Sequence, residues 1–178
     1  MKKKIVYLTG FMASGKSTYG KILANVLGWE NYDLDKMIVE REGMEVVDIF
    51  SQKGEEYFRK LETEILRETS NYENAVVSLG GGTVINTENL EICKSTGIVI
   101  YLKCSVGTIT QRIIKKTTRP IFRDLVVRGK RREISDKVKT MLAAREKYYL
   151  KAHIVVNTDM HGLGRTIDFI VKKLKRMI

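Results

Sequence analysis

The chain has 178 residues, 43% apolar and 30% charged, a balance that fits one folded domain with a full core and excludes a disordered chain. Its 32 Lys and Arg against 21 Asp and Glu leave a net charge of +11, which points to nucleic acid, a membrane surface or small anionic substrates as partners. No apolar run approaches the ~20 residues of a membrane helix, the apolar part of residues 1–8 is too short for a secretory signal, and Cys93 and Cys104 form neither a disulfide framework nor a metal pattern, which fits a reducing cytoplasm.

In chain order, residues 4–9 read as a buried strand that ends at Gly10. Gly10-Phe11-Met12-Ala13-Ser14-Gly15-Lys16-Ser17 then matches G-x-x-x-x-G-K-[ST] in full and opens a helical pattern over residues 16–27. In such a loop successive backbone N–H groups cradle phosphate oxygens, the helix N-terminus adds positive potential, Lys16 reaches the outer phosphates and the Ser17 hydroxyl ligates Mg²⁺. A short strand is predicted over 31–33, followed by Asp33-Leu34-Asp35. These two carboxylates suit a metal water and a hydroxyl proton, while Asp35 equally suits the N-cap of a helix over 36–41.

Residues 54–69 carry Phe58, Leu61 and Ile65 at helical spacing. Arg59 in that helix pairs with Glu55 at i,i+4 or serves a ligand. Residues 75–79 form another β-branched run, stopped by Gly80, Gly81 and Gly82, which suit either close approach of backbone to a ligand or a plain turn. A strand over 97–102, a helix over 105–115, a helix over 135–150, a strand over 153–157 and a helix over 163–177 follow. Strand–helix alternation predicts an α/β fold with a parallel sheet. Ile134, Val138, Met141, Arg145 and Tyr148 share one helix face, so Arg145 either pairs with an internal acid or waits in a cleft for an anion such as a carboxylate.

Residues 119–133 fit neither template and read as a loop. The charge is concentrated there. Residues 111–132 hold nine basic side chains and one acidic, +8, and residues 165–178 add +4, leaving the remainder at −1. A basic loop of this kind closing over phosphates points to a small-molecule kinase rather than to a hydrolytic motor.

The P-loop, Asp33-x-Asp35, Ile49-Phe50 with Gly54-Glu55 and Phe58-Arg59, Ser78-Leu79-Gly80-Gly81-Gly82, Arg119-Pro120 and Arg145 with Tyr148, in this order, resemble the shikimate kinase family. The resemblance implies a single domain over 1–178, three-layer α/β/α with a five-stranded parallel sheet of the P-loop NTPase and nucleoside-monophosphate-kinase type. Its P-loop lies at 10–17, its substrate-binding region at about 33–62, and its mobile lid at about 116–133. It implies ATP-dependent phosphorylation of the 3-hydroxyl of shikimate, on the pathway to chorismate and aromatic amino acids, by a cytoplasmic enzyme expected to be monomeric, with no nucleic-acid or membrane partner.

Carried over by motif, Gly10, Ala13, Ser14, Gly15, Lys16, Ser17, Thr18, Arg112 and Arg119 bind ATP, with Arg112 against adenine and Arg119 reaching the phosphates from the lid. Ser17 and Asp33 hold Mg²⁺. Asp35, Arg59, Gly80, Gly81, Gly82 and Arg145 bind shikimate, the two arginines gripping its carboxylate, and Lys16, Asp35 and Arg119 are the catalytic set. Ala13 stands where many members have glycine, a change expected to cost little. The stretch 119–145 is longer than usual, no proline lies between Arg145 and Tyr148, and Asp159-Met160-His161 replaces the basic residues some members place near adenine. The alternatives are another small kinase, for gluconate or a nucleotide, and a basic nucleic-acid-binding P-loop protein.

Overall fold

Continuous apolar runs with β-branched residues form strands buried on both faces, and such strands need helices above and below them. The computed structural model, which describes residues 4–115 and 120–177, has helices on both sides of one sheet, with the apolar run at 154–157 buried on one face only. Its strands are β1 Ile5–Thr9, β2 Glu30–Asp33, β3 Ala75–Ser78, β4 Ile98–Lys103 and β5 Ile154–Asn157, all parallel, in the order β2-β3-β1-β4-β5. The helices are α1 Lys16–Leu27, α2 Leu34–Glu42, α3 Val46–Thr69, α4 Thr87–Thr96, α5 Val106–Lys115, α6 Pro120–Val127, α7 Arg131–Tyr149 and α8 Leu163–Leu174, with a 3₁₀ turn at Thr83–Ile85.

The period-two geometry of β1 splits the core. Ile5 and Tyr7 join the side packed by α3, α4, α5 and α7, whereas Val6 and Leu8 join the side packed by α1 and α8. Among the described residues no helix is long and apolar enough to cross a membrane.

Three predicted elements change. The stretch read as a loop over 119–133 instead contains α6, and α7 begins at Arg131. Pro120 opens α6, where a proline ring suits the first helical turn, and Gly129 at φ 66 closes it, with the Lys130 N–H on the Leu125 carbonyl at 2.9 Å. Phe122 is buried under this turn and anchors α6 to the core. The basic cluster lies on the turn's outer side, where Arg128 pairs with Asp124 and Lys130 with Glu133, both 3.0 Å and exposed. Helix α3 starts eight residues earlier than residue 54 and breaks there: Gly54 adopts φ 83, ψ 167. The break folds the Phe50 ring back onto Phe58, at 4.5 Å between centroids. Helix α4, absent from the sequence reading, is capped by the Asn86 side chain, which accepts from the Glu88 N–H at 3.0 Å.

Two glycines mark close packing. A Cβ on Gly20 of α1 would sit 2.5 Å from Ser78 Oγ, so α1 lies directly on β3. A Cβ on Gly97 would sit 2.5 Å from the Ile5 carbonyl oxygen, a backbone atom that cannot rotate away. Gly97→Ala is therefore expected to lower stability by about 1–3 kcal/mol through overpacking. Thermal unfolding measures this, and an unchanged midpoint would show that β1 and β4 shift apart at no cost.

Candidate active site

The loop between β1 and α1 owes its shape to three residues of positive φ: Gly10 at 145, Ala13 at 61 and Gly15 at 101. Ala13 is the only one with a side chain, and the left-handed region costs such a residue roughly 1–2 kcal/mol, so replacing a glycine here is less innocuous than its size suggests. Gly10 also lacks room for a Cβ, which would meet the Leu102 carbonyl oxygen at 2.8 Å. Helix α1 has no side-chain cap and no acidic residue in its first turn, which contains Lys16, Ser17 and Thr18, so its positive end is left open. The Lys16 ammonium donates to the carbonyls of Gly10 at 2.9 Å and Phe11 at 3.1 Å, curling over the loop.

Behind the loop, one guanidinium nitrogen of Arg112 donates to the carbonyls of Ala13 and Ser14, both at 3.0 Å, and lies 3.5 Å from Cys104 Sγ. Arg112 therefore braces the strained residue. Cys104 Sγ lies 2.8 Å from Thr158 Oγ1, linking the end of β4 to the segment after β5. In that segment Asp159 accepts from the Ser105 N–H at 2.7 Å at the start of α5. Burial pushes the Asp159 carboxyl up, but hydrogen bonds from Ser105 and Thr108 and the nearby Arg112 charge outweigh it and hold the group below its usual range. Sequence reading left this end without contacts; an Asp just before a helix start was the available signal. Arg119, the expected lid arginine, lies outside the described residues.

Ser17 Oγ donates to Asp33 Oδ2 at 2.6 Å, so the pair expected at a metal lies together. Asp33 also caps α2, accepting from the Lys36 N–H at 3.4 Å. The cap thus belongs to Asp33, not to the alternative Asp35, because the helix begins at Leu34 and Asp35 falls within its first turn. Among the described residues no three His, Cys, Asp or Glu side chains gather into a metal cluster.

The triple glycine is where the two halves meet. None of its members needs positive φ. Each instead lies against a different neighbour, most tightly Gly80 and Gly82. A Cβ on Gly80 would sit 2.9 Å from Asp35 Oδ1 and 3.0 Å from Glu62 Oε1, one on Gly81 3.4 Å from the Met12 N–H nitrogen of the P-loop, and one on Gly82 2.8 Å from an Arg59 guanidinium nitrogen. The close surroundings of Gly80 and Gly82 are more than a plain turn needs. The N–H groups of Gly81 and Gly82 have no acceptor among the described residues.

Arg59 pairs within its own helix. It reaches Glu55 at 3.4 Å, but its stronger partner is Glu62 at 2.8 Å, and its guanidinium lies over Phe58 and Phe50 at 5.2 and 5.9 Å. Glu62 is 1% exposed and also accepts from Thr83 Oγ1 at 2.6 Å. Burial pushes its carboxyl up and the Asp35 charge adds to this, against the opposing pull of Arg59 and Thr83. Sequence reading missed Glu62 and Thr83, although an acid at i+3 from Arg59 was a visible signal.

Arg145 has no carboxylate partner among the described residues; its Nη1 faces the Gly81 carbonyl at 3.5 Å and its guanidinium lies over the Phe11 ring at 5.8 Å. Of the two readings, the internal ion pair finds no acid among the described residues. The buried face of α7 runs through Ile134, Val138, Leu142 and Tyr149, so Tyr149 and Leu142 take the places expected of Tyr148 and Met141. The Tyr149 hydroxyl donates to the Gly81 carbonyl at 2.5 Å.

Comparison with known proteins gives one answer. Residues 12–175 match the model of the shikimate kinase family. A shikimate kinase of Chloroherpeton thalassium is 42% identical, covering 99% of this chain and 95% of that protein. Among solved structures, a shikimate kinase of Bacteroides thetaiotaomicron superposes with a TM-score of 0.88 at 30% identity, covering 96% of this chain and 98% of the other. A shikimate kinase of Acinetobacter baumannii, determined with shikimate, superposes with a TM-score of 0.86 at 30% identity, covering 98% and 94%.

Proposed function

The chain belongs to the shikimate kinase family, and from that premise we propose that it transfers the γ-phosphoryl group of ATP to the 3-hydroxyl of shikimate, giving shikimate 3-phosphate and ADP. The observation that carries this is the triple glycine, whose three members separately abut Asp35, the P-loop and Arg59. It sets the acceptor's ligands against the phosphate cradle with no side chain between them.

The roles follow from chemistry at each position. Gly10, Ala13, Ser14 and Gly15 shape the cradle, and the backbone of Lys16, Ser17 and Thr18 offers N–H groups at the open helix end. Lys16 leaves the loop carbonyls for the phosphates, and Arg119 adds a second cation from the lid. Arg112 holds the loop and is near enough to Asp159 and Thr158 to flank adenine. Ser17 and Asp33 suit Mg²⁺, a hydroxyl and a carboxylate 2.6 Å apart forming a partial oxygen shell that leaves other positions to water and phosphate. When bound, the ion neutralises phosphate charge.

Arg59 and Arg145 hold the acceptor carboxylate, with the Gly81 and Gly82 N–H groups beside them. Asp35 accepts a hydrogen bond from the reacting hydroxyl and takes its proton as the oxygen–phosphorus bond forms. Orientation is its main contribution, since phosphoryl transfer through a loose transition state needs little base assistance. One chain carries every named residue, which suits a monomer as the working unit. ATP as donor and two buried free cysteines suit the cytoplasm.

The test is ADP release from ATP and magnesium with shikimate, gluconate or AMP as acceptor. Shikimate-dependent turnover is expected. Turnover with gluconate or AMP but not shikimate overturns the reading, and tight duplex-DNA binding at physiological salt without any turnover favours the nucleic-acid alternative.

A further inference from the structure

Tyr149 belongs to none of the roles above, yet it occupies a central position. It is fully buried at the end of α7, with its ring 5.1 Å from that of Tyr101. Its hydroxyl donates to the Gly81 carbonyl at 2.5 Å, the same oxygen that Arg145 faces at 3.5 Å. Residues 145 and 149 are one helical turn apart, so both side chains leave α7 on one face and converge on one peptide group. Burial pushes the Tyr149 phenol up to about 12, against the opposing pull of Arg145, which keeps it a protonated donor throughout the neutral range.

Two facts make that hydrogen bond consequential. Glycine peptides rotate at little steric cost, so three in succession hold no fixed orientation by themselves. The peptide group is planar and trans, so the Gly81 carbonyl and the Gly82 N–H point in opposite directions. Holding the carbonyl toward α7 turns the Gly82 N–H away from α7, and Gly82 itself abuts the Arg59 guanidinium. Among the described residues Arg145 is located by that long polar contact, by the Phe11 face and by its interaction with the Tyr149 hydroxyl.

We propose that Tyr149 is a positioning residue for the acceptor: through the Gly81 carbonyl it orients both the Gly82 N–H and the Arg145 guanidinium toward the substrate carboxylate. The inference rests on the acceptor site assigned under the proposed function.

Tyr149→Phe removes one oxygen and keeps the ring. It is expected to raise the shikimate KM about 5–10-fold, the range of one buried hydrogen bond, and to leave the ATP KM within about twofold. Tyr148→Phe, one position earlier and half-buried, is the control and is expected to change neither. Steady-state kinetics are read below the unfolding midpoint of each variant, with the ATP KM as the gauge of an intact fold. Equal rises in both KM values, or an unchanged shikimate KM in Tyr149→Phe while Arg145→Ala raises it, overturn the positioning role alone. An Arg145→Ala enzyme with an unchanged shikimate KM overturns the acceptor site beneath it.

Discussion

Replacing Lys16 with alanine is expected to lower kcat for phosphoryl transfer by about 10³-fold or more while leaving the fold intact. The magnitude follows from charge. Removing one neutral donor from a preorganised site costs about 10²–10³-fold, and an ammonium facing developing phosphate charge in a dry site contributes more. The fold survives because the Lys16 head contacts loop carbonyls of Gly10 and Phe11, not the core. Lys16→Arg is not a substitute, since a planar fork replaces a compact ammonium over two adjacent carbonyls. Initial rates at saturating ATP and shikimate measure the effect, and a variant within tenfold of the parent would falsify the role of Lys16.

Arg59→Ala carries the second large effect, and it acts twice. Shikimate loses one of two cations, so its KM is expected to rise roughly 10–100-fold. The protein loses the cation beside Glu62, a carboxylate that is 1% exposed. Arg59 keeps a third of its side chain in solvent, which screens part of the pair, so the stability loss is expected to be about 1–3 kcal/mol rather than the larger figure of a fully enclosed pair. A second substitution, Glu62→Gln in the Arg59→Ala background, separates the two effects: stability returns and the shikimate KM stays high. If the KM recovers as well, Arg59 serves Glu62 rather than substrate.

The same carboxyl dictates a pH dependence. Glu62 lies above its ordinary value of 4.5 because of burial. A carboxyl raised in the folded state holds its proton where the unfolded chain has released it, so stability falls as pH rises through the window between 4.5 and the raised value. Arg59→Ala pushes Glu62 higher and steepens that fall. Unfolding midpoints of Arg59→Ala, measured against pH and referred to the double variant with Glu62→Gln, display it directly, and parallel profiles exclude Glu62 as the cause.

Much of the architecture is legible in the residues because it rests on repeated local signals. Four of the five strands show as β-branched runs, β2 being the exception, and α1 shows through the P-loop that opens it. The stretch 119–133 misleads because its charges sit on the outer side of a turn whose inner side holds only a few apolar residues, Phe122 chief among them. Its Pro and Gly were helix punctuation rather than loop filler. At the candidate site, side-chain types at known spacings single out Lys16, Ser17, Asp33, Asp35, Arg59 and Arg145 as candidates. What they cannot reveal is which acid Arg59 meets, since Glu55 and Glu62 are both one turn away and only the packing of α3 against the 3₁₀ turn buries one of them. Tyr148 and Tyr149 pose the same problem: a rotation of 100° about α7 decides which phenol reaches Gly81.

The strand order has a consequence for how such a chain can be altered. After α1 the chain departs to the sheet edge at β2, builds α2 and α3, and comes back as β3 beside β1. Asp33, Asp35, Arg59 and Glu62 all lie on that one excursion, and the triple glycine follows directly on its return. It is therefore a cassette with two neighbouring ends, open to grafting as a block. A replacement that keeps a small residue at Ser78, where β3 lies under Gly20 of α1, and leaves Gly81 in place beside Met12, retains the contacts to the P-loop side. Arg145, supplied from outside the cassette by α7, would bias any such graft toward acceptors that carry an anion.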